Sequence, residues 1–249
     1  MTGILINIEV ARREASILIF NHIPKTGGTS IITLFNEVFG SDRCYRHRNR
    51  DSATNEYSRA IDDLDPSERE KLRFVAGHFD YGKHSLFPRP HVYLGFARDP
   101  VDRFLSDYFF IRAKGPPRMK EVAERVDPDE YLRIKESKGS AYLRNAQVAA
   151  LTGRDDIESA MLVIEREYLI AGTMAQLDGA QAILASLFGR SDLAPVRTNV
   201  MRHKSETSPE DVLSRKSIDL IRQRTALDSE LVRRLGDWFE RRNEALLAG

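Results

Sequence analysis

Short apolar runs of strand length alternate along this chain with longer stretches in which apolar residues recur at helical spacing. The run SILIFNHI at 16–23 predicts a buried strand, and PKTGGTS follows it directly. IITLFNEVFG then has the spacing of a helix that ends at Gly40. Residues 41–60 are polar, carry Arg43, Arg46, His47, Arg48 and Arg50, and read as a loop or lid with little core. Asp65-Pro66-Ser67-Glu68 has the form of a helix start with proline in the first turn. Further strands are predicted at 73–79 (RFVAGHF) and 92–97 (VYLGFA). After Pro100, Val101, Phe104, Leu105 and Tyr108 share one helical face. Gly115-Pro116-Pro117 breaks that helix and is expected to open a surface loop. The remainder reads as helices over 128–137, 140–151, 156–167, 178–188, 208–224 and 227–247, interrupted by a strand at 168–172. Alternating strands and helices predict an α/β fold with a central, mainly parallel sheet covered on both faces and a helix-rich C-terminal half. Without an internal repeat or low-complexity linker, one domain over 1–249 is expected, its core about 16–247.

Composition narrows the function classes. With 249 residues and 41% hydrophobic content the chain can bury a sizeable core. The 38 basic and 37 acidic residues give a net charge of +1, which argues against a protein working by bulk charge on nucleic acid. A local basic pocket remains compatible with that total. The single cysteine, Cys44, cannot form an intrachain disulfide, and a reducing compartment is the simpler reading. No positively charged leader and no window of about 20 apolar residues is found, so a soluble, cytoplasmic protein without a membrane span is expected.

Three segments carry candidate chemistry. In PKTGGTS, Gly27 and Gly28 let the backbone approach a ligand, and the following helix start favours a bound anion. Lys25 adds charge, and Thr26, Thr29 and Ser30 add hydroxyl donors. A tight turn with an exposed lysine is the competing reading. The lysine precedes the glycines, so this is not the G-x-x-x-x-G-K-[ST] loop of ATP- and GTP-binding proteins. In RDPVDRFLS, Arg98 falls at the C-terminal end of a strand and Ser106 two turns into the next helix. Arg98 could grip a phosphate or merely pair with Asp102, while Asp99 mimics a magnesium-binding aspartate. In RFVAGHF, His78 should emerge at the same sheet edge, where its intrinsic pKa suits proton transfer. His22 reads as a packing residue, and His84 and His91 have no assigned role. Tyr108, Phe109 and Phe110 read as helix packing, with one of them within reach of the site.

PKTGGTS after one strand and RDPVDRFLS after a later one resemble the sulfotransferase family that uses 3′-phosphoadenosine 5′-phosphosulfate. The carbohydrate-modifying subgroup, similar to heparan sulfate 2-O-sulfotransferases, fits best. Weaker echoes lie in NAQVAALTG at 145–153, LIAGTMAQLDGAQAIL at 169–184 and D-x-x-L at 228–231. The resemblance implies a P-loop-like three-layer fold. It implies that Lys25 to Ser30 hold the donor's 5′-phosphosulfate, and Arg98 and Ser106 its 3′-phosphate. Arg202 and Lys204 would close over the nucleotide. His78 would be the base that takes the acceptor hydroxyl's proton, with Lys25 neutralising charge at the leaving oxygen. No metal is required, since a sulfuryl group carries less negative charge than a terminal phosphoryl. The Arg43–Arg50 segment could meet an acidic glycan acceptor, against the alternative of a solvated polar loop. The rivals are a nucleotide or small-molecule kinase with a degenerate phosphate loop, and a non-catalytic nucleotide-binding module.

Overall fold

A computed structural model describes residues 2–47, 60–196 and 208–247. The chain begins with α1 (Thr2–Arg12) and β1 (Ile17–Asn21), continues through α2 (Gly28–Phe39) to β2 (Cys44–His47), and then reaches α3 (Pro66–Lys71) and β3 (Phe74–Gly77). After β4 (His91–Ala97) come α4 (Pro100–Lys114), α5 (Pro117–Arg125), α6 (Pro128–Ser137), α7 (Ala146–Thr152) and α8 (Ile157–Glu167). β5 (Tyr168–Thr173) and α9 (Leu177–Leu187) follow, and α10 (Pro209–Val212), α11 (Arg215–Arg224) and α12 (Ala226–Leu247) end the described chain.

The five strands form one sheet in the order β2-β3-β1-β4-β5, with every pair parallel. β1 is central, and Ile17, Leu18, Ile19 and Phe20 are all fully buried. A parallel strand covered on both faces needs a continuous apolar run, which is what SILIF supplies. α2 and α9 pack on each other and on the sheet, while α1 and α8 form a second group against β4 and β5 and α12 runs along β5. A separate apolar cluster joins α4, α6 and α11 through Phe104, Tyr108, Tyr131, Ile218 and Ile221. Chain connections leave β1 toward β2 on one side and arrive at β4 on the other. The crevice at the carboxyl end of β1 is therefore the switch point where such sheets bind ligands.

Four predicted strands are present, and a fifth was missed. β2 lies inside the stretch read as a loop, because CYRH is a half-buried edge strand with no apolar alternation. The N-terminal α1 was also unforeseen. Gly115-Pro116-Pro117 ends α4 but opens α5 with Pro117 in its first turn, rather than a surface loop. The helix expected over 208–224 is broken at Leu213–Ser214, where Ser214 caps α11 by accepting from the Ser217 amide. Among the described residues no helix is long and apolar enough to cross a membrane.

Candidate active site

The loop after β1 folds against its own grain. Lys25 adopts φ 72° and Gly27 φ 78°, both left-handed. For a lysine this conformation costs about 1–3 kcal/mol and persists only where surrounding contacts over-determine it. They do. The four consecutive carbonyls of His22, Ile23, Pro24 and Lys25 each accept a hydrogen bond from a side chain. The donors are His78 Nδ1 at 2.6 Å, Thr26 Oγ1 at 2.8 Å, Arg103 Nε at 3.2 Å and Arg98 Nη1 at 3.2 Å. Residues just past β3 and β4 and one from α4 thus converge on the loop that follows β1.

The helix that follows presents an open end. Gly27 caps α2 without a side chain, and its first turn contains no acid, so no carboxylate of its own offsets the positive end of the helix. α4, which also starts at this edge, is capped by Asp99, which accepts from the amides of Val101 at 2.9 Å and Asp102 at 3.1 Å. That cap is worth about 1 kcal/mol and occupies the aspartate that mimicked a metal ligand. The anion-seeking terminus is α2. Gly28 lies under the His22 ring, where any Cβ would collide with the imidazole.

Lys25 extends its ammonium over the Phe110 ring, 3.7 Å from the centroid. Burial lowers its pKa to about 8, opposed by Asp107 and helped by Arg98 and Lys114. Asp107 is itself nearly buried on α4, 3.1 Å from Lys135 Nζ and accepting from Tyr142 Oη at 3.1 Å. The main chain of Arg98 is held at both groups by the buried Gln147 amide: its N–H donates to Oε1 at 3.0 Å, and its carbonyl accepts from Nε2 at 2.8 Å. Arg98 Nε is buried without a hydrogen-bond partner. Ser106 sits nearly buried two turns into α4.

His78 follows β3 directly. A carbonyl oxygen can only accept, so the contact with His22 fixes the Nδ1–H tautomer and leaves Nε2 with a free lone pair. The ring is exposed at the site, yet the protein around it lowers its pKa below the ordinary 6.5, opposed by the carbonyl bond and aided by Arg46, His47 and Arg103. His22 packs as expected, 5.5 Å from the Phe20 ring and 4.5 Å from that of His78. Burial pushes it down to about 3, so it stays neutral.

The sequence-predicted residues Lys25, Thr26, Gly27, Gly28, Thr29, Ser30, His78 and Arg98 are brought to one sheet edge, with Ser106 on the adjoining helix. Arg202 and Lys204 lie outside the described residues, as do Arg48 and Arg50. Arg43 does not belong with Arg46. It stands before β2, at the opposite end of the strand, and pairs with Glu14. Arg46 and His47 are near the His78 ring, their strand pairing Ala76 and Gly77. Arg103 and Gln147 were missed, and of Tyr108, Phe109 and Phe110 it is Phe110 that reaches the loop, under the Lys25 ammonium. The NAQ echo marks an interlock: Asp228 accepts from the Gln147 and Val148 amides at 3.0 and 2.9 Å, and Asn145 Oδ1 accepts from the Leu227 amide at 2.9 Å. The helix starts of α7 and α12 cap each other, and Gln147 carries that rigidity to Arg98.

A parallel α/β sheet with an uncapped, lysine-bearing loop at its switch point defines a protein that handles phosphate or sulfate groups. The chain belongs to the sulfotransferase family, whose model matches residues 10–149, more than half of its length. It is 21% identical over 243 residues to heparan sulfate 2-O-sulfotransferase 1 of Gallus gallus, covering 86% of this chain and 68% of that protein. The match to the same-named protein of Cricetulus griseus is 25% identical over 112 residues and spans 41% of this chain and 31% of that protein. Uronyl 2-sulfotransferase homolog pip of Drosophila melanogaster is 32% identical over 108 residues, 40% of this chain and 21% of its own length.

Proposed function

We propose that this chain transfers a sulfuryl group from 3′-phosphoadenosine 5′-phosphosulfate to a hydroxyl group of a carbohydrate. The observation that carries the reading is the side-chain grip on the carbonyls of residues 22–25, which fixes an anion loop beside a neutral histidine with a free Nε2. Family membership and the names of the relatives, which act on heparan sulfate or uronyl groups, support the choice of sulfuryl over phosphoryl chemistry and of a sugar acceptor.

In this reading His78 Nε2 takes the proton of the acceptor hydroxyl as its oxygen bonds to sulfur. The bond from sulfur to the bridging oxygen of the phosphate breaks, and Lys25 with the first amides of α2 meets the charge that develops there. Preorganised donors of this kind act strongly because they need no reorganisation during reaction. Thr26, Thr29 and Ser30 complete the loop around the 5′ group. Arg98 and Ser106 hold the 3′-phosphate, and Arg202 and Lys204 cover the nucleotide. Arg46 and His47 face the acceptor side, where a uronic acid carboxylate would meet positive charge.

Calorimetric titration with 3′-phosphoadenosine 5′-phosphate, ADP and ATP tests the donor assignment. Selective binding of the 3′,5′-bisphosphate is expected without added magnesium. Preference for ATP with magnesium would replace sulfuryl transfer by the kinase reading. Selective binding without transfer to any hydroxylated glycan would leave the non-catalytic module.

A further inference from the structure

The connection from β3 to β4 leaves His78 at the carboxyl edge of the sheet and reaches His91 at the amino edge. Three potential metal ligands meet at that second edge. His84 lies on a 3-10 turn (Lys83–Leu86), His91 is the first residue of β4, and Glu167 is the last of α8. One ligand atom from each lies within 4.8 Å of the others.

Their surroundings are those of a cation site. Glu167 Oε2 is buried and has no hydrogen-bond partner. His91 Nε2 stands 3.9 Å from it, too far for a hydrogen bond. Among the described residues no lysine or arginine pairs with this carboxylate. Glu167 also ends α8, where the helix dipole presents its negative end. His84 is held through Nδ1, 2.8 Å from the Tyr93 hydroxyl, so Nε2 is the ring nitrogen not engaged with Tyr93. Such an outer partner orients ligating histidines in known sites.

We infer that His84, His91 and Glu167 form a binding site for a divalent metal ion of the zinc type, with a fourth position open to water. Imidazole and carboxylate ligands suit zinc, whose bonds of about 2.0–2.2 Å place neighbouring ligand atoms roughly 3.3 Å apart. The two imidazoles are now stacked, with centroids 4.5 Å apart and planes 5° from parallel. A metal lies in the plane of each ring that binds it, so the stack opens as the ion enters. Each neutral imidazole keeps its single proton and only changes tautomer: a proton on the metal-binding nitrogen is exchanged through solvent for one on the other ring nitrogen. In His84 that nitrogen is Nδ1, which then donates to the Tyr93 oxygen in competition with the two long donations, 3.2 Å each, from the Gly82 and His84 amides. The ion ties the 3-10 turn to the sheet and anchors the far end of the connection that begins at His78. The inference does not rest on the sulfuryl-transfer reading.

The test uses the untagged full chain, stripped with chelator and titrated with zinc chloride by calorimetry, and with cobalt(II) followed by visible absorption. One ion per chain and the visible bands of tetrahedral cobalt are expected. His91→Ala should weaken zinc binding by at least about 100-fold, since even outer partners cost about 10–100-fold. His78→Ala, at the other sheet edge, should leave zinc affinity unchanged. Absence of zinc binding overturns the inference, and so does binding that is equally tight in His91→Ala or is abolished by His78→Ala. If His91→Ala fails to fold, Glu167→Gln, which keeps the side-chain shape, must show the loss instead.

Discussion

The sheet carries a pair of stacked or tilted histidines at each of its two edges, and the pairs share a ring separation of 4.5 Å. Their surroundings are opposite. At the carboxyl edge His22 and His78 sit among Lys25, Arg46 and Arg103, beside the open start of α2. At the amino edge His84 and His91 face Glu167 and the hydroxyl of Tyr93, beside the end of α8. Parallel β-α-β connectivity enforces this division. The helices that follow β1 and β4, α2 and α4, start at the carboxyl edge, and α8, which leads into β5, ends at the amino edge, so the first gathers positive helix ends and the second a negative one. Identical side chains therefore meet opposite surroundings: the first pair lies among cations and the second beside a carboxylate.

The sharpest way to break that contrast is to remove the charge at the first edge. Lys25→Ala should lower kcat by about 10³, comparable with the loss of a preorganised oxyanion donor. The affinity for 3′-phosphoadenosine 5′-phosphate should fall less than tenfold, because the α2 amides and Arg98 remain. Weakened nucleotide binding with unchanged turnover would remove Lys25 from the chemistry and leave it a binding residue.

Next in size is the exchange of one histidine for another across the sheet. His78→Ala should reduce kcat by about 10², within the range for a lost general base, with nucleotide affinity preserved. His91→Ala should leave kcat within about twofold when donor and acceptor saturate. Equal losses in both variants would mean that the histidines act through the fold alone, and the division between edges would fail.

The two edges also differed in how far they could be read from sequence. The anion loop was legible because its chemistry is contiguous: strand, Lys25, paired glycines and helix follow one another, and a continuous apolar run marks the strand before it. His78 and Arg98 were legible because each ends an apolar strand. Arg103 and Gln147 were not, since their roles arise only when α4 and α7 fold back on the loop, and no local pattern distinguishes a buried arginine from a surface one. β2 escaped for a related reason, its half-buried polar residues having no period of their own. At the amino edge His84 and His91 could be seen but not interpreted. Their third member, Glu167, is 76 residues beyond His91 and becomes a neighbour only through the β4–β5 pairing.

A smaller effect is expected from Gln147, which couples the α7–α12 interlock to the site. Gln147→Leu leaves the Arg98 amide and carbonyl without partners, at about 1–3 kcal/mol for each buried group that water cannot reach. Part of that cost appears as a lower melting temperature. The part that displaces Arg98 should weaken 3′-phosphoadenosine 5′-phosphate binding about tenfold. ADP, which lacks the 3′-phosphate, should be affected less. A melting shift with both nucleotides bound as before would confine Gln147 to the fold.

The smallest effect is a factor of two, and it separates the lysine from the histidine by pH. Lys25 has its pKa lowered to about 8, against an ordinary 10.5, chiefly by burial. It is charged below pH 8 and loses its proton as pH rises through that value, so kcat/KM should halve near pH 8 and decline further above it. His78 works in the opposite sense: it must be neutral, and its pKa lies below 6.5, so the acid limb falls below pH 6.5. Between them lies a plateau. A bound polyanion favours the charged lysine, so the alkaline limb in kcat should sit higher than that in kcat/KM. Stability runs the other way, because a lysine with a lowered folded pKa is more protonated when unfolded between pH 8 and 10.5. Its contribution to stability therefore rises over the window in which activity declines. Lys25→Arg discriminates the cause, since a guanidinium keeps its proton throughout this range. The limb near pH 8 should disappear from whatever activity remains. A limb that persists unchanged would belong to another group, and the depressed lysine would then be a consequence of burial with no part in the rate.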